Sequence, residues 1–254
     1  MMEKILLYEE LSLNALPALQ TQFYDGWVLR FTSGYGYTNR ANSVNILYPS
    51  AIDINTKLAE CEKRYFAQGL PAVFKITDGV NEGFDKFLEN KGYTVASPTY
   101  LMTSNMALIQ NKPCECVLLD YIDDEWLDAY FSLSKYVDEQ KISIARQVFA
   151  NIKVPVICGR VTKNGATAAC GLCVIERGYA GLFNIVVDEP QRGKGYGKEI
   201  CGSLLSAAKG IGAHTSYLQV MQDNHTALGL YAKFGYQTIY SYWYRVKKRE
   251  EKKP

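Results

Sequence analysis

Apolar positions along the chain switch between a period of two and a helical period, and the switches outline two similar successions of elements. Residues 26 to 48 carry strand-like runs, GWVLRF and ANSVNILY, separated by the turn-rich SGYGYTN. Ile54, Leu58, Cys61 and Tyr65 then recur at helical spacing. PAVFKI predicts a short strand, and FDKFLENKGY a helix that Gly92 ends in the manner of a C-terminal glycine. YTVASPTYLMTS predicts the strand that closes this first half.

The segment NKPCEC, residues 111 to 116, breaks the periodicity and is the expected boundary, dividing the chain into residues 1–112 and 113–254. Beyond it Trp126, Tyr130 and Leu133 mark one helical face, and Ile142, Ala145, Phe149 and Ile152 mark another. An antiparallel meander follows: VPVICGRV, TAACGLCVIER and GLFNIVV, with Asn164-Gly165 a two-residue hairpin signal and a second turn around Gly178. Ile200, Leu204, Ala208 and Ile211 predict a helix running to Gly212. Strand TSYLQVM, helix HTALGLYAKFG and strand YQTIYSYWYRV complete the chain. Both halves thus run through strands, helix, strand, a helix ending in Gly-Tyr (92/93 and 235/236) and an aromatic-rich last strand, which reads as a diverged internal duplication.

Composition narrows the classes. The 254 residues are 48% hydrophobic and 21% charged, which is globular. A net charge of +2 supplies no global field that would call for nucleic acid or a membrane surface, so any anion site must be local. The seven cysteines form no matched C-x-x-C pairs, and two histidines leave no plausible zinc ligand set. Cys170 and Cys173 read as buried strand residues of a protein in a reducing compartment, and Cys114 and Cys116 as linker chemistry. No apolar run approaches the roughly 18 residues of a membrane span, and MMEKILLYEE is too short in apolar residues for a signal peptide. The expectation is a cytoplasmic protein that binds neither nucleic acid nor membrane.

The local anion site is VDEPQRGKGYGKEI, where three glycines alternate between a strand pattern and a helix pattern. It is not a Walker loop, because Arg192 stands five positions before Gly197 and Glu199 follows Lys198. G-x-G-x-G is also the wrong spacing for a dinucleotide fingerprint, and the preceding strands are antiparallel. What remains is a strand, a loop of bare amides and a helix N-terminus, reinforced by Arg192, Lys194 and Lys198, which suits a pyrophosphate.

These residues resemble the GNAT superfamily of acyl-CoA-dependent N-acyltransferases. Arg192, Gly195 and Gly197 match its signature [QR]-x-x-G-x-[GA], and Asn224, Ala227, Leu230, Tyr231, Gly235 and Tyr236 match N-x-x-A-x-x-L-Y-x-x-x-G-[FY] at every fixed position. The resemblance covers roughly residues 117 to 247 and implies an α+β fold of two GNAT-like domains, each a mixed, largely antiparallel twisted sheet flanked by helices. It implies that Arg192, Gly193, Lys194, Gly195, Tyr196, Gly197 and Lys198 hold the pyrophosphate of acetyl-CoA. It also implies that the backbone of Ile185, Val186 and Val187 holds the pantetheine arm, with Asn224 fixing that arm.

The chemistry implied is acetyl transfer to an amine on a small molecule or a peptide. Tyr231 is the candidate proton donor to the departing thiolate, and an amide near Val186 or Val187 meets the oxyanion. Glu176 is a candidate base, but a solvated strand-end carboxylate is the stronger reading of it. The first half has PSAIDINTK where a glycine loop would stand, and Leu88 where the second half has Tyr231, so it is expected to be a degenerate copy without a cofactor site. Arg40, Asn42, Ser43 and Asn45, beside Tyr35 and Tyr37, could line an acceptor pocket between the halves, or be ordinary turn polarity. Two other readings stay open: a CoA-binding regulatory or scaffold protein without turnover, and an acyltransferase using a longer acyl-CoA or a hydroxyl acceptor.

Overall fold

The computed structural model describes residues 2–32, 38–79, 83–109 and 116–249. The expected boundary at 112/113, together with Tyr35, Tyr37 and Cys114, lies outside them. The chain forms two compact units. The first comprises Met1–Thr99, Ser143–Asn151 and Tyr240–Pro254, and the second Tyr100–Ile142 and Ile152–Ile239.

The first unit begins with helix α1 (Met2–Ala15) and the hairpin β1 (Gln20–Tyr24) and β2 (Trp27–Phe31). Asp25 and Gly26 both take positive φ, 44° and 80°, the two-residue turn that matches strand twist. β3 (Val44–Ile46), α2 (Ile54–Ala67), β4 (Ala72–Thr77), α3 (Phe84–Asn90) and the start of β5 (Thr94–Asn105) follow. Asp53 caps α2, its carboxylate accepting from the amides of Asn55 and Thr56, and Tyr93 N returns to Leu88 O after Gly92 at φ 83° ends α3. Trp27, Leu29, Phe31, Val44 and Phe74 pack with Leu58, Tyr65 and Leu88 of the helices on one face of the sheet. The apolar pattern predicts neither α1 nor β1. In α1 the run Ile5 to Tyr8 spreads apolar residues around the helix, and β1 is largely exposed and alternates little.

The second unit contains the remainder of β5, then β6 (Cys116–Leu119), α4 (Asp124–Leu133) and the start of α5 (Glu139–Ala150). β7 (Val156–Lys163), β8 (Ala166–Glu176), β9 (Tyr179–Val187), α6 (Tyr196–Gly210), β10 (Thr215–Met221), α7 (His225–Ala232) and the start of β11 (Gln237–Lys247) complete it. The sheet order here is β5-β10-β9-β8-β7-β6, antiparallel from β6 to β9 and parallel between β9 and β10. Asn164-Gly165 (φ 52° and 78°) and Arg177-Gly178 (φ 51° and 78°) make the two hairpin turns. In the first unit the order is β1-β2-β3-β4-β11, with β3 and β4 the parallel pair.

Each half therefore does not keep its own last strand. Tyr242–Lys247 of β11 pair antiparallel with β4, in the first unit. β5 crosses into the second unit at Tyr100 and lies beside β10.

Candidate functional site

The site is assembled where β9 ends and α6 begins. Gly159 of β7 and Gly171 of β8 are register partners beneath α6. A Cβ at Gly159 would come within 2.8 Å of Ile200 Cδ1, and one at Gly171 within 2.9 Å of Leu204 Cδ1 and 2.6 Å of Ile185 Cδ1. The two glycines thus let α6 settle close to the sheet. The indole of the fully buried Trp126 donates to the carbonyls of Gly159 and Gly171, at 3.2 and 3.1 Å.

Opposite Gly171 the β8/β9 register slips. Cys170 pairs with Val186 and Leu172 with Phe183, so β9 carries one extra residue, and Asn184 takes φ 55°. On the other edge of β9 the parallel ladder with β10 ends at the pair Leu182/Leu218. β9 runs on to Val187 and β10 to Met221 with no further pairing among the described residues. The edge of β9 that faces β10 is therefore unpaired along the half-buried Ile185, Val186 and Val187, while Val186 and Val187 keep their places opposite Cys170 and Ala169 of β8.

The glycine loop follows. Gly193 and Gly195 hold φ 78° and 93°, and Gly195 is the residue before the first turn of α6, where no side chain caps the helix. The amides of Gly193, Lys194, Gly195, Tyr196 and Gly197 donate to no protein acceptor among the described residues. A Cβ at Gly193 or Gly195 would meet nothing within 4 Å, so the space over these amides is open. Five unspent donors at a helix N-terminus form an anion cradle. Gly197 lies closer in: a Cβ there would sit 3.3 Å from Leu230 and 3.5 Å from Val187, which brings the first turn of α6 against α7 and the end of β9. Lys194 Nζ donates to Gln191 at 2.9 Å, while the exposed Arg192 and Lys198 have no ion-pair partner among the described residues.

Tyr231 lies on α7 with its ring 5.7 Å from that of Tyr236. Its hydroxyl has no hydrogen-bonding partner among the described residues, and burial, with the nearby Cys201 thiol, holds its pKa above the ordinary phenol value. It is held as a neutral O–H donor. Tyr236 is spent otherwise, its hydroxyl bonded to Ser216 Oγ, which donates to Ala180 O at 2.7 Å. Asn224 is the cap of α7, its side-chain oxygen accepting from Ala227 N at 3.1 Å, which leaves its NH2 for other partners.

Glu176 is not brought to the loop. It pairs with Tyr179 at the opposite end of the β8/β9 hairpin, about 20 Å of strand from Val186, and forms an ion pair with Arg177 at 3.6 Å. In the first unit Asn42 is consumed locally: its oxygen accepts from Thr32 N at 2.7 Å and its nitrogen donates to Thr38 O at 3.3 Å. Asn45 donates to Ser43 O at 3.1 Å, so both asparagines and Ser43 hold the backbone around β3. Asn184, Trp126, Gly159 and Gly171 are the positioning residues that the sequence pattern does not single out. Asparagine tolerates positive φ, which is the one sequence signal of the bulge.

A family model described as "Probable histone acetyltransferase Rv0428c C-terminal" matches residues 4–245. The uncharacterized N-acetyltransferase YobR of Bacillus subtilis (strain 168) is 29% identical over 253 residues, spanning 97% of this chain and all of its own. Among solved structures, a GCN5-related N-acetyltransferase from Kribbella flavida aligns with TM-score 0.70 at 14% identity, over 97% of this chain and 95% of its own. A tandem GNAT protein from the clavulanic acid biosynthesis pathway aligns with TM-score 0.62 at 12% identity, over 82% and 76%.

Proposed function

The chain belongs to the Rv0428c C-terminal acetyltransferase family and has the GNAT fold, and on that premise we propose that it transfers an acetyl group from acetyl-CoA to an amine. The observation that carries the reading is the run of five unspent amides from Gly193 to Gly197, placed where β9 parts from β10. A pyrophosphate losing its water at that cradle regains hydrogen bonds and the partial positive charge of the α6 N-terminus. Arg192, Lys194 and Lys198 add charge of the same sign. The β10-facing edge of β9 along Ile185, Val186 and Val187 offers unpaired backbone groups to the amide groups of the pantetheine arm, and the NH2 of Asn224 is available to it.

Tyr231 supplies the proton that the departing thiolate needs. Its raised pKa keeps the phenol protonated across the working range, and its hydrogen bond to sulfur strengthens as charge develops there. An amide at Val186 or Val187 meets the carbonyl oxygen. Because Glu176 is remote from this end, the amine is best supplied already neutral or deprotonated through water. The first half is a degenerate copy on the acceptor side: it has Pro49 and Ser50 near the loop position and the core residue Leu88 where the second half has Tyr231.

The test is a titration of acetyl-CoA into the full chain, followed by a thiol-release screen across amines, peptides, polyamines and aminoglycosides. One acetyl-CoA per chain and release with at least one amine class are expected. Two bound per chain would defeat the degenerate-copy reading. Binding without release, or release only with a longer acyl-CoA or a hydroxyl acceptor, would replace the proposed reaction by one of its rivals.

A further inference from the structure

The first unit buries more positive than negative charge. Lys75 on β4 pairs in register with Tyr244 on β11 and Asn45 on β3. Its ammonium donates to Glu9 of α1 at 2.5 Å and lies 3.9 Å over the ring of Tyr242. The other oxygen of Glu9 accepts from Tyr240 at 2.8 Å, so this carboxylate is fully spent. Arg30 on β2 is only 3% exposed and, among the described residues, forms no ion pair with a carboxylate, Glu9 acting on it only at longer range. It donates to the carbonyls of Arg40 at 2.5 Å, of Leu13 at 3.4 Å and of Leu16. Those at the end of α1 offer the partial negative charge of a helix terminus, less than a full counter-charge.

Two buried cations thus face one buried anion, with the half-buried Arg40 adding positive charge beside them. A second observation points the same way. Among the described residues the Tyr244 hydroxyl, on a residue 3% exposed, has no hydrogen-bond partner within 3.5 Å, the Tyr242 hydroxyl near it lying beyond that distance, and its electrostatic neighbours are Tyr242, Arg40, Glu9 and Arg30. A buried guanidinium without a full counter-charge and a buried hydroxyl without an acceptor are both costly.

We propose that Arg30, Lys75 and Tyr244 form a binding site for a small carboxylate-bearing molecule in the first unit. One carboxylate answers both observations: it brings negative charge to the buried cations, and it accepts the Tyr244 O–H. The ligand is either the amine acceptor itself or a molecule that binds without reacting, and turnover separates the two.

The experiment titrates free L-amino acids, each against its own carboxamide, into the full chain by calorimetry. At least one acid is expected to bind about tenfold or more tightly than its amide, the size of a lost charged hydrogen bond. Tyr244→Phe should erase that preference without lowering the thermal midpoint, since it removes only an unsatisfied hydroxyl. Thiol release from acetyl-CoA with the bound acid makes the ligand the acceptor, and binding without release makes it a non-reacting ligand; either supports the site. Equal binding of acids and amides, no binding of any, or a preference surviving in Tyr244→Phe would overturn it. Thiol release from acids and amides alike would remove the carboxylate site while leaving the transferase reading in place.

Discussion

Two single residues carry the chemistry and can be separated by measurement. Gly195 holds φ 93°, where any Cβ is strained by roughly 1–2 kcal/mol, and a glutamate side chain there would also enter the open space over the loop amides. Gly195→Glu should therefore fold yet lose acetyl-CoA binding, and calorimetry showing unchanged affinity in the folded variant would remove the loop assignment. Tyr231→Phe removes a donor that matters as the thiolate leaves. Turnover should fall by about 100-fold with cofactor affinity nearly unchanged. Equal turnover, with the chemical step shown to be rate-limiting, would return Tyr231 to a packing role.

At the scale of elements, the cradle depends on how closely α6 lies on β7 and β8. Gly171→Val would drive new carbons into Ile185 and Leu204, already 2.6 and 2.9 Å from a bare Cβ. The expected loss is about 2–3 kcal/mol in urea unfolding, together with weaker acetyl-CoA binding, because Ile185 belongs to the proposed pantetheine edge. An unchanged urea midpoint would mean that α6 has slack the geometry does not suggest. The helical runs 200–212 and 84–92 were legible because each has one apolar face and an ending glycine, and the strand 215–221 because its apolar residues follow a strand pattern. The bulge at Asn184 was not legible, since an extra residue on one strand is defined only against its partner.

At the scale of the whole molecule, the buried thiols set an alkaline limit. Burial raises Cys170, Cys173 and Cys201 from the ordinary value near 9 to about 12. The unfolded chain releases these protons first, so their contribution is complete below about pH 9 and is lost as pH climbs toward 12. The thermal midpoint should fall by about 5 °C or more between pH 9 and 10.5. A midpoint level across that range would show that these thiols ionise without opening the core.

By itself the sequence determined the elements and the local chemistry, because both are written at short range. Three alternating glycines before a helical pattern specify bare amides at a helix start, and Asn224 to Tyr236 keep the spacing that places Tyr231 on a short helix. Partners brought from far along the chain were decided only by tertiary structure. The pairing of β11 with β4, the indole of Trp126 on Gly159 and Gly171, and the meeting of Glu9, Arg30, Lys75 and Tyr244 leave no periodic trace. A strand shows its own alternation in sequence, but its neighbour is chosen by which edge is free and which buried face is left to cover.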